Sequence, residues 1–127
     1  MTIKIKDMRN NKRITKNVFI LGIGSDIGKV LAERYLHKGF TVMGTYRNKD
    51  SVKTFLKSSE ICLYRCDLDE KSSIKKCVDK LRKLLKPWDI FISCVGSMEP
   101  IGKFFDCDFD RWEQSVMVNS TAQLRFL

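Results

Sequence analysis

The stretch VFILGIGSDIG, residues 18–28, decides the fold of this 127-residue chain. Its first four residues are apolar and end at a glycine, which is typical of a short strand buried on both faces of a parallel sheet. After Gly28 the apolar residues follow helical spacing, at Val30, Leu31, Tyr35 and Leu36. A strand, a glycine turn and a helix bring the backbone N–H groups of a helix N-terminus to one point, where they can bind an anion.

The spacing of the glycines narrows this interpretation. The common dinucleotide-binding fingerprint G-x-G-x-x-G would place its last glycine one residue before Gly28. In the alternative register G-x-x-x-(G)-x-G, the stretch resembles the short-chain dehydrogenase/reductase family, with Asp26 in place of the middle glycine. The resemblance implies that the pyrophosphate of a dinucleotide is bound by Gly22, Gly24, Ser25, Asp26, Ile27 and Gly28. The other possibility is a tight strand-to-helix turn that binds no ligand.

The rest of the chain continues to alternate between strand and helix. Apolar runs predict strands at 41–46, 61–64 and 88–95, and helical spacing predicts helices at 50–58, 70–86 and 109–127. This order predicts an α/β fold, a Rossmann-like doubly wound parallel sheet with strand order 3-2-1-4 that is incomplete at the carboxyl end. We expect this dinucleotide-binding domain to span residues 17–127, after a basic flexible leader at 1–16.

Composition limits the class of protein. A chain of 127 residues with 43% hydrophobic residues is expected to form one domain. No apolar run approaches the roughly 18 residues of a transmembrane helix, and we find no secretory signal, so no membrane partner is expected. The five cysteines form no CxxC pair and are expected to be reduced thiols in a cytoplasmic protein. Because His37 is the only histidine, neither a metal site nor a Ser/His/Asp triad is expected.

The leader carries more than half of the formal net charge of +9. Residues 1–16 contain six basic residues and one acidic residue. Such an arm could bind nucleic acid or anionic lipid. The leader has no aromatic residue to stack on bases, so a solvated tail is the preferred interpretation. A basic nucleic-acid-binding domain is therefore kept only as a further alternative.

The residues after the second predicted strand indicate which cofactor is bound. NAD-binding domains carry Asp or Glu there for the ribose 2′-hydroxyl, whereas an arginine accommodates the 2′-phosphate of NADP. This chain has Tyr46-Arg47-Asn48, with no acidic residue between the strand and Asp50. Because a guanidinium can bind a phosphate through two hydrogen bonds, Arg47 favours NADP(H) over NAD(H).

Asp67 and Leu68 follow the third predicted strand, where open α/β sheets bind their ligands. The family resemblance implies that this pair lies against the adenine ring. The alternative role for Asp67 is an N-cap of the next helix. Asp69 fits that capping position better, which would leave Asp67 free.

The end of the fourth predicted strand reads Ser93-Cys94-Val95-Gly96, where the family has N-N-A-G. Both amides are missing, but Cys94, Val95 and Gly96 are small enough for the backbone to approach a cofactor. Further on, D-x-x-x-W-x-x-x-x-x-V-N runs from Asp108 to Asn119. The resemblance implies that Asn119 kinks its helix and holds a water of a catalytic proton relay; otherwise it is an ordinary exposed helix residue.

The family's catalytic Tyr and Lys, spaced Y-x-x-x-K, have no counterpart here. None of the tyrosines, Tyr35, Tyr46 and Tyr64, has a lysine four residues later. The resemblance implies an oxidoreductase that transfers hydride between NADP(H) and a small carbonyl or alcohol substrate, with that tyrosine as the proton donor or acceptor. The chain looks like the amino-terminal half of such an enzyme and is expected to be inactive alone.

Two expectations follow from this incomplete pattern. The chain could be a catalytically inert dinucleotide-binding module or a truncated product rather than an enzyme. The predicted strand at 88–95 is apolar on both faces and would form an uncovered sheet edge, which invites pairing with another chain. We therefore expect a homo-oligomer or a marginally soluble chain.

Overall fold

A computed structural model describes residues 15–84 and 87–127. Its four parallel strands form one sheet in the order β3-β2-β1-β4, which confirms the predicted fold and strand order. The strands are β1 (Asn17–Leu21), β2 (Thr41–Tyr46), β3 (Ile61–Arg65) and β4 (Ile90–Ser93). The prediction of a flexible leader falls almost entirely on residues 1–14, and these lie outside the described residues.

The helices are α1 (Asp26–His37), α2 (Lys71–Lys83), α3 (Phe109–Asn119) and α4 (Thr121–Leu124). Single turns of 3₁₀ helix occur at Lys49–Val52 and Phe104–Asp106. The predicted helix over 109–127 is interrupted as expected, since α3 ends at Asn119. The end of the helix predicted to reach residue 86 falls on residues 85 and 86, which the structure does not describe.

The predicted helix over 50–58 does not form, and a 3₁₀ turn followed by further turns takes its place. The Oδ1 of Asn48 accepts the Asp50 N–H at 2.9 Å, and the Ser51 hydroxyl donates to the Asn48 carbonyl at 2.6 Å. Short polar side chains compete in this way with helical hydrogen bonding. The apolar residues Val52 and Phe55 are buried nevertheless. Their spacing therefore identified two buried residues correctly, but it did not predict the backbone conformation between them.

The core lies in two layers, one on each face of the sheet. On one face Phe19 and Leu21 pack with residues of α2, α3 and α4, and on the other Val18 and Ile20 pack with residues that include Ala32 of α1. The four apolar side chains of β1, from Val18 to Leu21, are fully buried. This burial confirms the prediction of a strand that is covered on both faces.

Phe19 lies at the centre of an aromatic cluster. Its ring centroid is 4.8 Å from that of Trp88, 5.8 Å from Phe91 and 6.0 Å from Phe126. The cluster joins the edge strand β4 and the segment after α4 to the central strand, so it couples the two ends of the described domain.

Replacing Phe19 with alanine should lower the free energy of unfolding by about 3–5 kcal/mol, because the substitution leaves a cavity in a packed core. Phe105→Ala is the matched control, since that side chain is 95% exposed, and it should cost less than about 0.5 kcal/mol. Urea unfolding followed by circular dichroism measures both. Similar losses in the two variants would contradict the assignment of Phe19 to the core.

The outer edge of β4 pairs with no strand among the described residues. Phe91 packs into one core layer and Ile90 and Ile92 into the other, so both faces of this edge strand are apolar. Unpaired backbone groups on an apolar edge favour pairing with a second chain.

We predict that the 127-residue chain self-associates through this edge. Sedimentation velocity should show dimers or larger species whose fraction rises with protein concentration. A single monomeric species over a hundredfold range of concentration would contradict the prediction.

Candidate functional site

The carboxyl ends of the four strands open into one groove of about 790 Å³. It is lined by the loops that follow each strand and by α3. Nine of the residues that the sequence singled out line it: Gly22, Gly24, Ser25, Arg47, Asp67, Leu68, Cys94, Val95 and Gly96. These residues come from four separate segments of the chain, so the fold assembles them at the side of the sheet where such folds bind ligands.

The turn from β1 to α1 is shaped by its glycines. Gly22 has a φ of +84°, and a Cβ at this position would collide with the Val95 side chain. A Cβ at Gly24 would collide with Ser51. The turn therefore lies tightly against the loops after β4 and β2, and at Gly22 the backbone conformation also favours glycine.

Ser25 is the N-cap of α1. Its Oγ accepts the Gly28 N–H at 3.0 Å and donates to the Gly22 carbonyl at 2.9 Å. A Cβ at Gly28 would collide with that same carbonyl, so Gly28 shapes the turn rather than lining the groove. The N-cap of the helix is therefore Ser25 and not its neighbour Asp26.

Asp26 and Ile27 also do not line the groove. The Asp26 side chain is fully exposed on the first turn of α1, with Oδ1 3.9 Å from the Lys29 Nζ. The Ile27 side chain is exposed as well. Both residues still contribute their backbone to the positive end of the α1 dipole, and Asp26 keeps its carboxylate away from the groove.

The loop after β3 contradicts the prediction that Asp69 caps the next helix and leaves Asp67 free. The residue at the N-cap position of α2 is Glu70, not Asp69, and its side chain makes no capping hydrogen bond within the described residues. Asp67 is not free either, because its Oδ1 accepts the Asp69 N–H at 3.1 Å and its own N–H donates to the Ser73 Oγ at 2.9 Å. An aspartate whose side chain accepts a hydrogen bond from the backbone N–H two residues later closes a local turn. In this turn the Asp69 side chain does not take the N-cap position of α2.

Arg47 lies on the rim of the groove at the end of β2. Its Nη1 is 3.5 Å from the Oδ2 of Asp69. The two charged side chains therefore face each other across the mouth of the groove, between the ends of two neighbouring strands.

Asn119 holds the loop that follows β4. Its Oδ1 accepts the Ser97 N–H at 2.7 Å and its Nδ2 donates to the Ser97 carbonyl at 2.8 Å. The Ser115 hydroxyl donates to the same carbonyl at 3.2 Å, and the Gln123 Nε2 donates to the Val95 carbonyl at 3.3 Å. Asn119 thus supports the wall of the groove and does not itself line it.

Sequence reasoning missed this group of polar residues, although a signal was present. Ser115, Asn119 and Gln123 are spaced four residues apart, which places them on one side of consecutive helical turns. It also missed Thr45, a buried polar residue in an apolar strand whose Oγ1 accepts the Gly22 N–H at 3.0 Å. An isolated threonine inside such a strand is a sign of this kind of contact.

The thiols in the groove are neutral at physiological pH. A hydrogen bond with Cys77 and burial raise the pKa of the Cys66 thiol, and burial raises the pKa of Cys94. Deprotonation of either thiol is therefore shifted above its ordinary pH range. Neither sulfur adds negative charge to a groove that faces the positive end of a helix.

Asn119→Ala should make the Ser97 amide exchange its hydrogen roughly fivefold faster, because a hydrogen bond of about 1 kcal/mol is lost. Amide exchange resolved by NMR measures this. Asn48→Ala is the matched control, since Asn48 holds the Asp50 N–H in a different loop. It should accelerate exchange at Asp50 and leave Ser97 unchanged. Unchanged exchange at Ser97 in the Asn119 variant would refute the clamp.

None of the helices in the described ranges is both long and apolar enough to cross a bilayer. Over residues 15–84 and 87–127, no three His, Cys, Asp or Glu side chains gather as a metal site would require.

Comparisons with known proteins agree with the geometry. Human epidermal retinol dehydrogenase 2 is 27% identical over 113 residues, which cover 84% of this chain and 36% of that protein. A short-chain dehydrogenase from Leptospira borgpetersenii with bound NAD⁺ is 27% identical, with a TM-score of 0.73 over 87% of this chain and 42% of that one. An actinorhodin polyketide ketoreductase with NADPH has a TM-score of 0.74 at 22% identity, over 88% of this chain and 44% of that one.

The chain thus spans well under half the length of these relatives. The family model for short chain dehydrogenases matches residues 16–126, nearly all of the chain outside the basic leader. The chain belongs to the short-chain dehydrogenase family.

Proposed function

We propose that this chain binds a dinucleotide along the groove, NADP(H) in preference to NAD(H), as part of an oxidoreductase acting on a carbonyl or alcohol substrate. The convergence of four sequence-separated loops on the carboxyl edge of the sheet carries the proposal. Family membership supports it, and relatives have been solved with NAD⁺ and with NADPH.

The residues present suit a dinucleotide. The turn at Gly22 and Gly24 has no room for side chains, so a ligand phosphate can approach the backbone closely. In our proposal the N-terminus of α1, from Ser25 to Gly28, faces the pyrophosphate. Asp67 and Leu68 lie beside the adenine, where the backbone of the turn fixes their position.

The nicotinamide end is assigned to the loop after β4. Cys94, Val95 and Gly96 line the groove there, and we propose that their backbone passes the nicotinamide ring. The bound cofactor supplies the hydride chemistry. Asn119 acts on this region by holding Ser97 in place. Because those bonds use its side chain, we propose that Asn119 orders a water for proton transfer through its backbone.

Turnover requires a proton donor that this sequence does not provide, since it contains no Y-x-x-x-K. We propose that the 127 residues bind the dinucleotide without turning over substrate. A catalytically inert binding module is therefore the second candidate. Tight NADPH binding without oxidation in the presence of many ketones and aldehydes is expected of the chain alone. Turnover by these 127 residues would refute this part of the proposal.

Arg47→Ala tests the cofactor preference. Loss of a charged hydrogen bond to the 2′-phosphate should weaken NADPH binding by roughly 1.5–3 kcal/mol, while NADH binding should change less than about twofold. Cofactor fluorescence titration measures both dissociation constants.

Arg34→Ala, on the exposed side of α1, removes the same charge away from the groove. It should leave both constants unchanged. An equal loss of NADPH and NADH binding in the Arg47 variant would remove Arg47 from the 2′-phosphate site.

A further inference from the structure

The carboxylate of Asp69 is the acidic group that faces Arg47. The distance from Nη1 to Oδ2 is 3.5 Å, and the side chains are 70% exposed for Arg47 and 44% exposed for Asp69. An ion pair that is this long and this exposed contributes little to stability. The guanidinium can therefore leave Asp69 readily for a stronger anionic partner.

Asp69 itself is held in place by its backbone. Its N–H donates to the Asp67 Oδ1 at 3.1 Å, and its carbonyl accepts from the Gln114 Nε2 of α3 at 3.2 Å. These bonds attach the residue both to its own turn and to a helix on the other wall of the groove. The Asp69 carboxylate thus stays near the rim when Arg47 moves.

We propose that Asp69 is a specificity-determining residue that opposes the 2′-phosphate and limits the preference for NADP(H). This inference rests on the proposed function of the groove. A phosphate bound by Arg47 lies within a few ångströms of the Asp69 carboxylate, and the two anions repel. The 2′-hydroxyl of NAD(H) is uncharged and experiences no such repulsion. The groove therefore prefers NADP(H) over NAD(H) less strongly than it would if Arg47 acted without Asp69.

The opposite effect is also physically possible. Asp69 could hold the guanidinium in the orientation that a phosphate needs, and its removal would then weaken NADPH binding. The length and exposure of the pair argue against this, because such a contact orients a long side chain poorly. The sign of the change in NADPH affinity separates the two roles.

Asp69→Asn keeps the size and the backbone bonds of the residue and removes its charge. Titration of the 127-residue variant should show NADPH binding about fivefold tighter and NADH binding changed less than twofold. The gain should shrink as salt is raised from 20 to 500 mM, because the repulsion is screened. Asp69→Ser also removes the charge and replaces the asparagine variant if that one does not fold.

Glu70→Gln is the matched control, since it changes the same charge one residue further on without facing Arg47 in the structure. It should leave the ratio of the two affinities unchanged. If the parent chain binds both dinucleotides and the ratio in Asp69→Asn stays the same or falls, the inference is wrong while the proposed function stands. If the parent chain binds neither dinucleotide, both are wrong.

Discussion

The burial of β1 on both faces is the constraint on which the rest of the structure depends. This strand pairs with β2 on one side and β4 on the other, and its four apolar side chains have no contact with solvent. Helices must then cover both faces of the sheet. At the end of β1 the chain must therefore turn sharply enough to begin a helix. Gly22, with its positive φ, provides that turn. Because all four strands are parallel, every following loop emerges at the same edge, and the groove forms there.

The walls of that groove are joined by a few hydrogen bonds from side chains to distant backbone. Asn119 bonds to Ser97 across 22 positions of sequence, and Gln114 bonds to Asp69 across 45. These bonds connect α3 to the loops after β4 and β3. The thiols of Cys66 and Cys94, whose pKa values are raised by their surroundings, add no negative charge to the groove, and at its rim arginine and aspartate face each other. The groove is therefore fixed in shape inside and carries a pair of opposite charges at its mouth.

The spacing of apolar residues predicted most of the fold, because each segment encodes in its own sequence which of its faces can be buried. The second strand was placed at its observed residues, and the other elements were shifted or shortened at their ends by a few residues. The predicted helix at 50–58 failed because Asn48 and Ser51 bond to nearby backbone. In the segment after Asp108, the apolar residues Trp112 and Val116 lie one helical turn apart yet are exposed, while Val118 and Phe126 are buried. An apolar stripe identifies a helix surface that can be buried, but it does not identify the element that packs against it.

The sequence by itself determined the order of the strands, the glycine turn and most of the residues that line the groove at the carboxyl edge of the sheet, because these depend on hydrophobic spacing and backbone conformation. Only the tertiary structure decided what the polar side chains do there. Whether Asp67 or Asp69 closes the local turn, and whether Asn119 faces the groove or the Ser97 backbone, depends on which donors the fold brings within about 3 Å. The Ser97 donor lies in a loop far from Asn119 in sequence, and residue spacing within a helix does not encode the distance from that helix to a loop.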